Sequence, residues 1–299
     1  MKRILITGGN GQLGTELKRY PWPKGWGVTA VDIDELDLRE TTAIAAMVAS
    51  KPWAAVISAG AYTAVDNAET DVVTAWAVNA LAPAAFAEAC VKAGIPIIQV
   101  STDYVFDGTR TSAWEVDDPV APLGVYGASK LGGELAVRTS GARHAIVRTA
   151  WVVSAHGNNF VKTMLRVGAI NPRLRVVDDQ WGSPTAAADL AAALARIAMQ
   201  LADDPAAPTG TYHFSNSGAV TWAGFAREIF AQSAARGGAS AEVEAIPTSE
   251  YPTPASRPAN SLLSHVAITR DYGIHPPAWQ TALGTILDEL LGASKENKA

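Results

Sequence analysis

The chain predicts an α/β fold: a doubly wound parallel sheet with a smaller C-terminal lobe. Three observations carry that reading. In the first 150 residues short β-rich runs alternate with helix-like stretches, the order of successive βαβ units. Those runs are nearly continuously apolar rather than alternating, as expected of strands covered by helices on both faces. A glycine-rich turn, ITGGNGQLGTEL, stands at the first strand-to-helix crossing.

The strands in order are RILIT (3–7), GVTAVD (27–32), AAVISA (54–59), IPIIQVS (95–101) and HAIVRT (144–149). Helices are expected over 12–20, 41–49, an alanine-rich run from about 71 to 93, and 126–139. Past residue 150 the alternation loosens. RLRVV (173–177) and TYHFS (211–215) read as further strands, TAAADLAAALARIAMQLAD (185–203) as a helix, and Thr221 as the cap of another. IPTSEYPTPASRPANS (246–261) contains four prolines and should cross the surface as a loop. A last helix is expected over 280–291, with GASKENKA fraying. Residues 1–150 thus form one domain, to which segments from about 175 to 215 return, and 151–299 build mainly a second lobe.

Composition narrows the classes of function. With 48% hydrophobic and 18% charged residues in 299, the chain is globular rather than disordered. The formal charge is −5 and no run of Lys or Arg stands out, which argues against a nucleic-acid partner. Cys90 is the one cysteine, so no intrachain disulfide exists and a small core residue is its expected role. The apolar run in MKRILITGG ends at glycines after five residues, too short for a secretory signal, and no stretch is read as a membrane span. A reducing, cytoplasmic setting follows. The five histidines show no paired spacing for a metal. The Asp pairs at 117–118, 178–179 and 203–204 flank turn-forming residues and read as solvated turns.

The glycine-rich turn is where function enters. Gly8, Gly11 and Gly14 are spaced to make a tight turn, let backbone approach a pyrophosphate, and pack helix on strand. The helix that follows offers unpaired N–H groups and a positive dipole end. Between a strand and a helix, this pattern points to a dinucleotide and to a Rossmann-type sheet. Asp32 closes the second strand eighteen residues beyond Gly14, where a carboxylate accepts from ribose hydroxyls and favours NAD. Asp37 and Leu38 follow as candidates for the adenine edge, while Lys18 and Arg19 are cations near enough in sequence to serve a 2′-phosphate. NADH, NADPH or both are therefore the expected cofactors.

A second constellation supplies chemistry. QVSTDYVFDG (99–108) ends the fourth strand, placing Ser101, Thr102 and Asp103 at the crevice where open α/β sheets bind ligands. Tyr126 and Lys130 lie one helical turn apart in YGASK. One such pair is weak alone; beside a dinucleotide loop it reads as a proton donor and its electrostatic helper. A free tyrosine titrates near 10, and a nearby ammonium is expected to pull that value down. Lys130 would also hold the nicotinamide ribose, and Thr102 the substrate oxygen that takes the proton.

With GGNGQLG, AYTAVDNAE, STDYVFDG, YGASKLGGE, RTAWVV, GNNFVKTMLR, DDQWGSPT and PTSEYPTPASRPANS in hand, the chain resembles the extended short-chain dehydrogenases/reductases, and among them the dTDP-4-dehydrorhamnose reductase family. The resemblance runs through nearly the whole chain. It implies reduction of a nucleotide-sugar C4 ketone by NAD(P)H, with Tyr126 as proton donor, Lys130 as its partner and Thr102 tuning it. It implies cofactor contacts at Gly11, Gln12, Leu13, Asp32, Asp37, Leu38, Ala61, Tyr62 and Thr63, and a deoxysugar facing Asp103 and Trp151. Arg257, in the proline-rich loop, is the candidate for the substrate pyrophosphate, since a guanidinium matches phosphate oxygens; a loop salt bridge is the alternative. Related dehydratases carry Asp-Glu after the threonine, whereas Asp103 is followed here by Tyr104. Ser58 stands where relatives commonly have asparagine. Some relatives dimerise through a metal such as magnesium held by acids; Glu16 is present, but TAAADLAA is alanine-rich where further acids would be wanted. A dTDP-sugar substrate, chemistry without a metal, and a monomer or weak homodimer are the resulting expectations. Two alternatives stay open: a non-catalytic binding subunit like that of methionine adenosyltransferase, and a sister nucleotide-sugar reductase or epimerase.

Overall fold

The structure, a computed structural model, describes residues 1–296. Its first half runs β1 (Lys2–Thr7), α1 (Gln12–Arg19), β2 (Trp26–Val31), α2 (Thr41–Ala49), β3 (Ala55–Ser58), α3 (Val65–Ala68), α4 (Val72–Trp76), α5 (Ala82–Ala93), β4 (Ile97–Thr102), α6 (Val125–Thr139) and β5 (His144–Thr149). These five strands and Gly210–His213 form one parallel sheet, in the order Gly210–His213, β5, β4, β3, β1, β2.

Apolar strands bury both faces here. On one face Ile4, Ile6, Ile57, Ile98 and Val147 pack under Leu190, Leu194 and Ile197 of the helix Ala187–Asp203. On the other, Leu5, Val56, Ile97 and Ile146 meet Ile44 of α2 and Phe86 of α5. Period-two alternation along each strand thus serves two cores. Cys90 sits in the second, its thiol pushed up to about 12 by burial, an inert core residue.

The chain leaves β1 for β2 on one side and returns to β3 on the other. That reversal opens a crevice at the carboxyl ends of the strands. Thr7 closes its floor, its Oγ1 accepting from the N–H groups of Ala59 (3.1 Å) and Gly60 (2.9 Å).

The expected helix over 71–93 is a single rod, Val72–Ala93, with a π turn at Ala77–Leu81. Pro83 cannot donate to the Asn79 carbonyl four residues back, which accounts for the wide turn. By length and apolarity this rod would suffice to cross a membrane, contrary to the sequence reading that no stretch does. In the fold it is a core helix, with Ala82, Phe86 and Cys90 buried against the sheet and α2.

Beyond residue 150 lies a second core, in which Phe225, Ile229 and Phe230 meet Val161, Leu283 and Leu287. It is bordered by small sheets: Arg173–Val177 pairs in parallel with Glu242–Ile246, and Trp181–Gly182 pairs antiparallel with Val220–Thr221. The helix Trp222–Ala235 is capped by Thr221, whose Oγ1 accepts from Gly224 N–H at 3.0 Å. After a short 3₁₀ turn at Thr248–Glu250, the proline-rich segment is irregular as expected. The last helix, Trp279–Glu296, continues five residues past its expected end. Of the expected fraying at 292–299, residues 297–299 lie outside the described residues.

Candidate active site

A cavity of about 840 Å³ occupies the crevice. Gly8, Gly11, Gln12, Leu13 and Gly14 from the first turn line it, with Asp32, Asp37 and Leu38 after β2. Ala61, Tyr62 and Thr63 follow from the end of β3; Thr102 and Asp103 come from β4, Tyr126 and Lys130 from α6, and Trp151 from beyond β5. The fold therefore brings together the residues singled out for cofactor and substrate except Arg257, Lys18 and Arg19.

The glycines divide by purpose. At Gly14 a Cβ would stand 2.0 Å from the Gly8 carbonyl oxygen, so packing of α1 on the turn alone demands glycine. At Gly11 a Cβ would meet a single atom at 3.3 Å, and φ is an ordinary −70°. Little in the protein requires a missing side chain at Gly11, which faces the cavity and starts α1 without a side-chain cap. The Gly11 N–H itself donates to the Gly8 carbonyl at 3.1 Å, but the bare backbone there leaves the N–H groups of Gln12 and Leu13, at the start of α1, open to a pyrophosphate. Asp32 is steadied by the N–H groups of Asn10 (2.7 Å) and Ile33 (2.8 Å). Lys18 and Arg19, the expected phosphate cations, do not line the cavity, and Arg19 is bound instead to Glu289 at 2.8 Å.

At the other end, Lys130 is 4% exposed and donates to the Val100 carbonyl at 2.7 Å. Burial lowers its pKa to about 8, opposed by the Glu134 carboxylate one turn further on. Tyr126 does not show the expected downward shift: burial pushes its phenol up to about 12, against a hydrogen bond with Thr102 that lowers it. Desolvation is the largest cause, and the Asp103 carboxylate adds to it. The Tyr126 ring meets Tyr104 edge-on, centroids 5.4 Å apart. Thr102 Oγ1 donates to Asp103 Oδ1 at 3.0 Å and accepts from Tyr104 N–H at 3.2 Å.

Asp103 Oδ2 is buried with no partner, and burial raises the carboxyl to about 6. Trp151 is the one described non-glycine residue with positive φ, at 50°. Its indole stacks on Trp222, centroids 3.5 Å and planes 13° apart. Arg257 instead pairs with Asp66 at 2.8 Å, leaving Nη1 buried and unpartnered.

The motifs did not reveal Glu134, Trp222 or Arg39. Glu134 is the four-residue successor of Lys130 in YGASKLGGE, a spacing that signals one helix stripe. Arg39 lines the cavity directly after Leu38. No grouping of three or more His, Cys, Asp or Glu able to hold a metal occurs among the described residues. Glu16 faces His156 at 3.2 Å and Arg19 at 3.7 Å.

Residues 1–291 match the family described as RmlD substrate binding domain. A dTDP-4-dehydrorhamnose reductase of Burkholderia thailandensis is 42% identical over 296 residues, covering 97% of this chain and 99% of the relative. The crystal structure of such a reductase from Clostridium acetobutylicum superposes with a TM-score of 0.90 at 36% identity, over 96% of this chain and 99% of that one. One from Bacillus anthracis, solved in complex with NADP, gives 0.90 at 34% identity over 97% and 100%. Fold, cavity and likeness over nearly the full length agree, and the chain belongs to the RmlD family, that of the dTDP-4-dehydrorhamnose reductases.

Proposed function

We infer that the protein reduces the C4 ketone of dTDP-4-dehydro-L-rhamnose to dTDP-L-rhamnose, with NADH or NADPH as donor. The observation that carries this is the meeting of Tyr126, Thr102 and Lys130 with the bare Gly11 backbone in one cavity. The reduced nicotinamide, when bound, supplies the hydride.

The chain does the rest. Gln12 and Leu13 present backbone N–H groups to the pyrophosphate, which the missing side chain of Gly11 lets approach, and Asp32 accepts from ribose hydroxyls. Asp37, Leu38, Ala61, Tyr62 and Thr63 wall the dinucleotide. Tyr126, protonated at neutral pH, gives its proton to the C4 oxygen while C4 takes the hydride, so the ketone leaves as an alcohol. Thr102 orients that oxygen. Lys130 holds the nicotinamide ribose and carries charge up to about pH 8. Asp103 and Trp151 face the deoxysugar, and Arg257 reaches the substrate pyrophosphate by giving up Asp66. Proton and hydride transfer of this kind needs no Lewis acid. The partners on this reading are the dTDP-sugar and the nicotinamide nucleotide, and the chain acts in the cytoplasm as a monomer or weak homodimer.

The test is product identification with dTDP-4-dehydro-L-rhamnose and each reduced nucleotide in turn. Stoichiometric nucleotide oxidation and dTDP-L-rhamnose are expected, and their absence would refute the assignment. Tyr126→Phe should lower kcat by roughly 10²–10⁴ with nucleotide affinity little changed. Turnover by that variant at the wild-type rate would remove the role given to the phenol.

A further inference from the structure

Of the residues lining the cavity, two are cations. Lys130 lies deep, held by the Val100 carbonyl. Arg39 stands on the wall that follows β2, together with Asp32, Asp37 and Leu38, and its side chain is 54% exposed. Its Nε lies 3.0 Å from both Asp37 carboxylate oxygens and its Nη2 lies 2.5 Å from Oδ2. Asp37 Oδ1 also accepts from the Arg39 N–H at 2.9 Å.

The surroundings of this guanidinium are acidic. Glu40 and Asp71 add their fields to that of Asp37. Asp32 lines the same wall, its own N–H donating to Glu35 at 2.9 Å. A phosphomonoester entering here would meet several carboxylates and one mobile cation, so that cation decides whether the group is accepted. A guanidinium half in water, held by a single partly exposed carboxylate, forms an ion pair of small net worth and can exchange partners.

We propose that Arg39 reads the 2′-phosphate of NADPH: its guanidinium leaves Asp37 for the phosphate and closes back on Asp37 when NADH occupies the site. One wall then serves both nucleotides, Asp32 accepting the free ribose hydroxyls of NADH and Arg39 the phosphate of NADPH. This rests on the nucleotide reading of the cavity given above, and it replaces Lys18 and Arg19 in that role.

Binding calorimetry with two probes that differ only in the 2′-phosphate tests it: adenosine 2′,5′-bisphosphate and adenosine 5′-monophosphate. Arg39→Gln should lower the ratio of the two affinities about 10–100-fold, the worth of a charge-assisted hydrogen bond. Asp37→Asn, which releases the guanidinium, should move that ratio the other way. In the wild type the ratio should fall with added salt, since the contact is exposed. An unchanged ratio in Arg39→Gln overturns the assignment to Arg39 while the nucleotide reading stands. Wild-type protein that binds neither probe overturns both.

Discussion

At the end of β4, Asp103 is 3% exposed, with one carboxylate oxygen bonded to Thr102 and the other without a partner. Burial raises its carboxyl from the ordinary 3.8 to about 6. The folded state therefore binds this proton more tightly than the unfolded chain does. The group costs nothing below about pH 4, its penalty builds between about 4 and 6, and above 6 the penalty is complete. Asp103→Asn should accordingly stabilise the protein at pH 8, by on the order of 1–3 kcal/mol, and by less at pH 5. Urea unfolding at the two pH values measures this; equal stability of variant and wild type at pH 8 would show that the carboxylate carries no penalty. A residue that opposes folding yet faces the cavity is the usual mark of function purchased with stability. The motif STDYVFDG disclosed the residue, but its strained charge state depends on burial that no local pattern encodes.

At the scale of elements, α6 carries Tyr126, Lys130, Glu134 and Arg138 along one stripe. Lys130 donates to the Val100 carbonyl, and Glu134 Oε1 accepts from Ser101 Oγ at 2.6 Å. Two successive turns of the helix are thus pinned to two successive residues of β4, which fixes Tyr126 against Thr102. Glu134, fully buried, also takes both ends of the Arg148 guanidinium at 2.8 Å, and Arg138 at 3.0 Å. Glu134→Ala would strand a buried cation, at a cost of about 3–5 kcal/mol. Replacing Glu134 and Arg148 together by apolar residues should cost less. A single-variant loss no larger than that of an exposed ion pair, about 1 kcal/mol or under, would contradict the burial. Strand and helix were legible from an apolar run and its place in the strand–helix alternation, and Tyr126 with Lys130 from their spacing. Glu134 looked like any helix charge, because its main partner lies fourteen residues on in β5 and meets it only after the sheet forms.

At the scale of the molecule, the nucleotide turn is tied to the later segments by side chains. Gln12 Oε1 accepts from Ser154 Oγ at 3.0 Å and from Asn159 Nδ2 at 2.9 Å, while Arg19 on α1 pairs with Glu289 in the last helix. A nucleotide in the cavity should stabilise the chain as one cooperative unit. At a hundred times its Kd, NADP⁺ should add about 2.7 kcal/mol. A calorimetric scan should show a single transition moved upward by several degrees, and two transitions of which only one moves would contradict the coupling. The parallel sheet was legible because its strands are long enough to stand out as continuous apolar runs and its first turn carries the glycines. The small sheets past residue 150 were mostly not, since pairs such as Trp181–Gly182 with Val220–Thr221 are too short to form such a run. The Arg257–Asp66 pair joins residues 191 apart, a contact that only tertiary structure creates.

The stack of Trp151 on Trp222 has a further consequence. One indole belongs to the cavity wall and the other to the first residue of a helix in the second core. Aromatic rings held face to face at 3.5 Å share their excited states, and the resulting optical activity depends on their mutual angle. The seam between the two cores thus carries its own unlabelled gauge, visible in circular dichroism whenever a ligand shifts one core against the other.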